Sequence, residues 1–133
     1  MFDQVLNNLP AFAMYFATAF AILVAFLTLY ALVTPYNELE LIRQGNVAAA
    51  TSLAGALVGI ALPVAVAVVV SHNLYTMVGW GVVACIVQLL AFVATRLVLP
   101  HLCEDIPQGK AAAAIFLAAI STGVGIISAA CIF

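Results

Sequence analysis

Four stretches of this chain, residues 11–33, 47–70, 74–99 and 111–133, contain a single charge among them, Arg96. A helix needs about 20 apolar residues to cross a hydrocarbon core about 30 Å thick, and each stretch meets that length. Nothing constrains the fold more. Composition agrees: 68% of the 133 residues are hydrophobic and 6% are charged, against about 45–50% and about 25% in soluble domains. A soluble enzyme and a disordered tail are excluded. So is a nucleic-acid binder, because a net charge of -2 with no basic cluster offers phosphates nothing. The reading is an all-α integral membrane protein whose main surroundings are the lipid bilayer. A barrel would need alternating apolar and polar residues, which these runs lack.

Asn7, Asn8 and Pro10 read as the cap and first turn of the first crossing, and Thr34-Pro35 as its end. Asn46 reads as the N-cap of the second; Pro100 closes the third, and Gly109-Lys110 precedes the fourth. No Lys or Arg stands ahead of the first run, and it exceeds the core of a signal peptide, so it reads as a retained crossing. Arg43 lies between the first two crossings, and Arg96 and Lys110 flank the connection between the last two. The positive-inside rule therefore puts both charged connections in the cytoplasm and both termini in the periplasm.

Shifting the chain by about 64 residues brings two stretches into register. Glu40, Ile42, Gln44 and Gly45 fall on Glu104, Ile106, Gln108 and Gly109, and Ala48 to Ala50 fall on Ala112 to Ala114. Two crossings per copy give both copies one orientation, hence two parallel two-helix repeats, residues 1–70 and 71–133, in one membrane domain.

The segment from Thr34 through Pro35, Tyr36, Asn37, Glu38, Leu39, Glu40, Leu41, Ile42, Arg43, Gln44 and Gly45 to Asn46 and the following alanines resembles the signature of the YjfL family of small bacterial inner-membrane proteins. The resemblance covers essentially the full length. It departs in the second copy, where Pro107 stands opposite Arg43 and Lys110 opposite Asn46. The resemblance implies a bacterial inner-membrane location and, more loosely, an envelope-stress or polyamine-related genomic setting, and it carries over no catalytic residue.

Thr51, Gly55, Gly59, Pro63, Ala67 and Ser71 recur at steps of four, a small-residue stripe through which another backbone can approach. Ser121, Gly125 and Ala129, or Ala119 and Gly123, repeat the idea in the fourth crossing. Packing within the bundle and assembly of a homo-oligomer both use such faces. Pro63 is expected to free a backbone carbonyl. Gln88 is the most deeply placed strongly polar side chain; an interhelical hydrogen bond to Ser121, Thr122 or a carbonyl competes with a pore-lining role. Arg96 is expected to snorkel, or to pair with Glu104 or Asp105. Tyr15, Tyr30, Tyr36, Tyr75 and Trp80 read as interface anchors.

Glu38, Glu40, Arg43, Arg96, Glu104 and Asp105 form the candidate docking surface for a cytoplasmic protein partner, with Tyr36, Leu39 and Ile42 against the membrane. His101, Cys103, Glu104 and Asp105 match no standard zinc spacing, so neither a metal nor a cofactor is expected. Cys85, Cys103 and Cys131 read as unpaired. No phosphate loop, nucleophile elbow or paired catalytic carboxylate is present. The favoured reading is a non-enzymatic oligomeric scaffold. The alternative is a subunit of a pore or transporter for a small solute or ion.

Overall fold

A computed structural model describes residues 2–133. Six helices follow one another: α1 (Phe2–Val33), α2 (Glu38–Arg43), α3 (Val47–Val70), α4 (Leu74–Val98), α5 (Leu102–Asp105) and α6 (Ala111–Ile132). Four of them, α1, α3, α4 and α6, are long and apolar enough to span a membrane. The short α2 and α5 lie in the two connections that carry charge.

Local chemistry sets most of the helix ends. Asn46 caps α3 by accepting from the Ala49 N–H at 3.1 Å, and Asn73 caps α4 through the Thr76 N–H at 2.8 Å. Asn37 does the same for α2 through the Glu40 N–H at 3.2 Å. Each capping oxygen meets one of the four N–H groups that a helix start leaves unpaired. Gly45 and Gly109 take φ of 85° and 78°, so each turn from short helix to long helix uses a conformation open to glycine.

The start of α1 departs from expectation. The helix begins at Phe2 and runs through Asn7, Asn8 and Pro10, so these residues neither cap it nor form its first turn. At 1.5 Å per residue its 32 residues exceed the bilayer core, so its polar first turns can lie beyond the hydrocarbon. Out there, the Leu6 carbonyl that Pro10 leaves without a helical partner can bond water.

The centre of the bundle is the pair α3 and α6, the most extensive helix pairing in the fold. A Cβ added at Gly55 would overlap the Cα of Ala118, one at Gly59 the Ser121 carbonyl, and one at Gly125 the Gly59 carbonyl. The backbones therefore touch. Contacts that advance together along both helices make α3 and α6 parallel. Gly55, Gly59, Pro63, Ala67 and Ser71 are all buried, so the stripe faces the bundle. Gly123 belongs to the other face: an added Cβ there meets nothing within 4 Å, and it makes no close helix contact. The register between α3 and α6 selects Ser121 and Gly125 instead.

The α4 helix packs on both α3 and α6, and α1 packs on α3 and α4. Ile22 of α1 meets Gly81 of α4, and Tyr30 meets the Phe92 ring edge-on at 5.4 Å, so α1 and α4 are also parallel. Only Phe26 and Tyr30 of α1 are buried. Tyr30, 1% exposed and with its ring tilted against that of Phe26 as well, is a core residue rather than an interface anchor.

Candidate functional site

Two places concentrate polar atoms inside this apolar bundle. The first lies midway along it. Pro63 has no N–H, so the carbonyl of Gly59, four residues earlier, loses its helical donor. Gln88 of α4 fills that position: its Nε2 donates to the Gly59 carbonyl at 3.0 Å and to the Ser121 carbonyl at 3.1 Å. One buried amide thus ties α4 to both central helices at their closest approach. The expected interhelical bond is present, made to the Ser121 backbone rather than its hydroxyl. Among the described residues, the Gln88 Oε1 has no hydrogen-bond partner.

The second place is the end of the bundle that carries α2 and α5. The chain leaves α1 at Val33, turns through Thr34 and Pro35, and starts α2 at Glu38. That abrupt turn folds the first residue of α2 inward. Glu38 is only 6% exposed, and among the described residues neither carboxylate oxygen has a hydrogen-bond partner. The Tyr30 and Tyr36 hydroxyls are likewise buried without a partner among those residues. Leu27, Ala31 and Thr34 of α1 and its exit, together with Leu53 of α3, complete a cleft of about 450 Å³ around them.

Burial is the main influence on this carboxyl, pushing Glu38 up to about 7, with the nearby Thr34 hydroxyl opposing it. Burial also raises the Tyr36 phenol, the Glu38 charge and then Cys103 add to the effect, and the nearby Ser52 hydroxyl opposes it. The Cys103 thiol is raised by burial, against a lowering by Arg96, with Glu104 raising it further.

The expected docking surface therefore divides. Glu38 is buried and leaves it, while Leu39 is exposed, as a residue facing the membrane would be. Glu40, Arg43, Arg96 and Glu104 are exposed. Asp105 is half-buried and pairs with Lys110 at 3.3 Å, and Glu104 meets His101 at 3.5 Å, so neither acid pairs with Arg96. Asn46 joins the two connections, its Nδ2 donating to the carbonyls of Ile106 at 3.0 Å and Pro107 at 3.2 Å. Among the described residues no group of three or more His, Cys, Asp or Glu gathers as a metal site would require. The 64-residue shift held one signal for the buried acid: it places Glu38 on Leu102, which is fully buried.

A bundle of four membrane-spanning helices with minimal connections, a backbone-to-backbone seam and one buried carboxylate defines a small multi-pass membrane protein. The chain belongs to the family described as Domain of Unknown Function (DUF350), matched over residues 4–132. It is 35% identical to the UPF0719 inner membrane protein YjfL of Escherichia coli K12 over 128 residues, 96% of this chain and 97% of that one. It is 31% identical to the UPF0719 transmembrane protein YshE of Bacillus subtilis over 126 residues, 93% and 94% of the two chains. No solved structure matches.

Proposed function

We propose that this protein is a non-enzymatic scaffold of the bacterial inner membrane that assembles with copies of itself and offers charged connections to a cytoplasmic partner. The observation that carries this reading is Gln88: the polar side chain at mid-bundle is engaged with two backbone carbonyls, at a seam too tight for a Cβ. A group so bound serves packing. The nearly uncovered α1, with Phe12, Phe16 and Phe20 exposed and stacked along one side, supports self-assembly. The inner-membrane names of the relatives support the location, and Glu40, Arg43 and Glu104 support the docking role. The orientation with both termini in the periplasm rests on the placement of Arg43, Arg96 and Lys110. The parallel pairings of α1 with α4 and of α3 with α6, and the matching turns at Gly45 and Gly109, support descent from a duplicated unit of residues 1–70 and 71–133.

A cross-linking experiment tests assembly. With Cys85, Cys103 and Cys131 replaced by alanine, Phe16→Cys is expected to yield covalent dimers in native membranes. A chain that stays monomeric under the same oxidation, and in native mass spectra, contradicts the scaffold. A second reading, translocation of a small solute, draws on Gln88, whose Oε1 has no hydrogen-bond partner among the described residues, because polar groups at membrane depth mark solute paths in other proteins.

A further inference from the structure

We propose that the cleft between the end of α1 and α2 is a binding site for a primary ammonium group, with Glu38 as its counter-charge and Tyr30 and Tyr36 around it. The starting point is a hydrogen-bond imbalance. Among the described residues, both oxygens of Glu38 and the hydroxyls of Tyr30 and Tyr36 are buried without partners. Buried polar groups in native proteins are almost always bonded, to protein, water or a bound species. Basic side chains of the fold lie elsewhere: Arg43, Arg96 and Lys110 are exposed, and Lys110 pairs with Asp105.

The donor and acceptor inventory selects the ligand class. A primary ammonium brings three N–H donors and one positive charge. One carboxylate balances that charge, and two phenol oxygens accept the remaining donors. A calcium-like ion asks for six to eight oxygen ligands and usually several carboxylates, and the cleft has one carboxylate. Of the other walls, Leu27, Ala31, Leu39 and Leu53 are apolar and Thr34 and Asn37 polar, and about 450 Å³ holds a short alkyl body beside the charged head. An ammonium of this kind reaches the cleft from two sources, a free alkylamine or the ethanolamine headgroup of a phospholipid.

Ionisation sharpens the test. Alkylammonium groups stay charged to about pH 10. Glu38, pushed up to about 7, loses its proton within the working range, so binding strengthens as pH rises from 6 to 8. The other titratable groups facing it are Tyr30 of α1, Tyr36 of the connection and Cys103 of α5. Their ordinary values lie above this window, and burial raises Tyr36 and Cys103 further. From α3 the facing residues, Ser52 and Leu53, do not titrate. The exposed Arg96 of α4 acts on Cys103.

The experiment uses the full chain in phosphatidylcholine nanodiscs, whose choline has no N–H to donate. Saturation-transfer NMR titrates n-butylammonium chloride, with n-butanol as the neutral comparison. Butylammonium is expected to bind and butanol not to, with affinity rising about tenfold between pH 6 and pH 8. Glu38→Gln is expected to weaken binding at pH 8 at least about tenfold and flatten the pH profile, while Asp3→Asn, in the first turn of α1, changes neither. In a second arm, native mass spectrometry from mixed-lipid nanodiscs scores retained phosphatidylethanolamine against phosphatidylcholine and phosphatidylglycerol. Selective, Glu38-dependent retention identifies the lipid headgroup as the source; butylammonium binding without it identifies a free amine. Absence of both, or binding that Glu38→Gln leaves intact, overturns the proposal. Should Glu38→Gln fail to fold, a wild-type profile that is flat from pH 6 to 8 overturns it equally.

Discussion

Gln88 and Pro63 compensate for one another. The proline removes a donor from the Gly59 carbonyl, and the amide of the neighbouring helix supplies one. Such bonds between membrane helices average about 0.6 kcal/mol and reach about 1.7 kcal/mol. Gln88→Leu is expected to cost about 1 kcal/mol, measured by SDS-driven unfolding, since it leaves two carbonyls without that donor. Pro63→Ala restores the helical N–H to Gly59, so the same Gln88→Leu change should cost less in that background. Additive losses in the double-mutant cycle would show that the proline and the amide do not share the carbonyl. Glu38 supplies the opposite case, a buried group lacking its partner. Its raised folded value, about 7 against 4.5 unfolded, means stability is fullest below about pH 4.5 and falls as pH rises through 7. Glu38→Gln should therefore stabilise the ligand-free protein at pH 8, by up to about 3 kcal/mol, and much less at pH 5. A variant no more stable than wild type at pH 8 would indicate that the carboxylate is already satisfied. Sequence separated these two residues poorly. Gln88 stands out because it interrupts an apolar run, whereas Glu38 sits among other charges, and only its alignment with the apolar Leu102 distinguishes it.

At the scale of the helix, small residues decide which faces meet. The step-of-four pattern in α3 identifies its packing face because a single continuous stripe exists there. In α6 two such stripes compete, and sequence cannot choose between them: the register against α3 buries Ser121 and Gly125 and leaves Gly123 without close neighbours. Gly59→Leu is accordingly expected to prevent the α3–α6 contact, seen as loss of folded protein on size-exclusion chromatography. Gly123→Leu should elute and melt like wild type. Equal tolerance of both substitutions would mean that the seam is not where the backbones touch. Asn46 acts at the helix start and between the connections at once. Asn46→Ala should cost about 1 kcal/mol or more, because it removes a cap along with two cross-connection bonds. The start of α1 is hard to place from sequence because Asn and Pro are strong boundary signals in water-facing helices. A helix longer than the bilayer core can carry them in turns that reach solvent.

For the molecule as a whole, charge-free runs make the crossings legible, since no other secondary structure satisfies so long an apolar backbone in lipid. Arrangement is less legible, because it depends on which small faces interlock. The proposed orientation places Glu40 and Glu104, both exposed, in the cytoplasm. Glu40→Cys and Glu104→Cys, in a chain with its three native cysteines replaced, should resist an impermeant thiol reagent in intact cells and react after lysis. Reaction in intact cells would invert the topology. The scaffold reading itself depends on whether anything crosses the bundle. Flux of ions and small solutes through liposomes containing the purified protein measures this directly. The wild-type protein is expected to match protein-free liposomes, with Gln88→Leu no different. A selective flux in the wild type that Gln88→Leu abolishes, while assembly stays intact, would contradict the scaffold and make the Gln88 contact part of a conduction path.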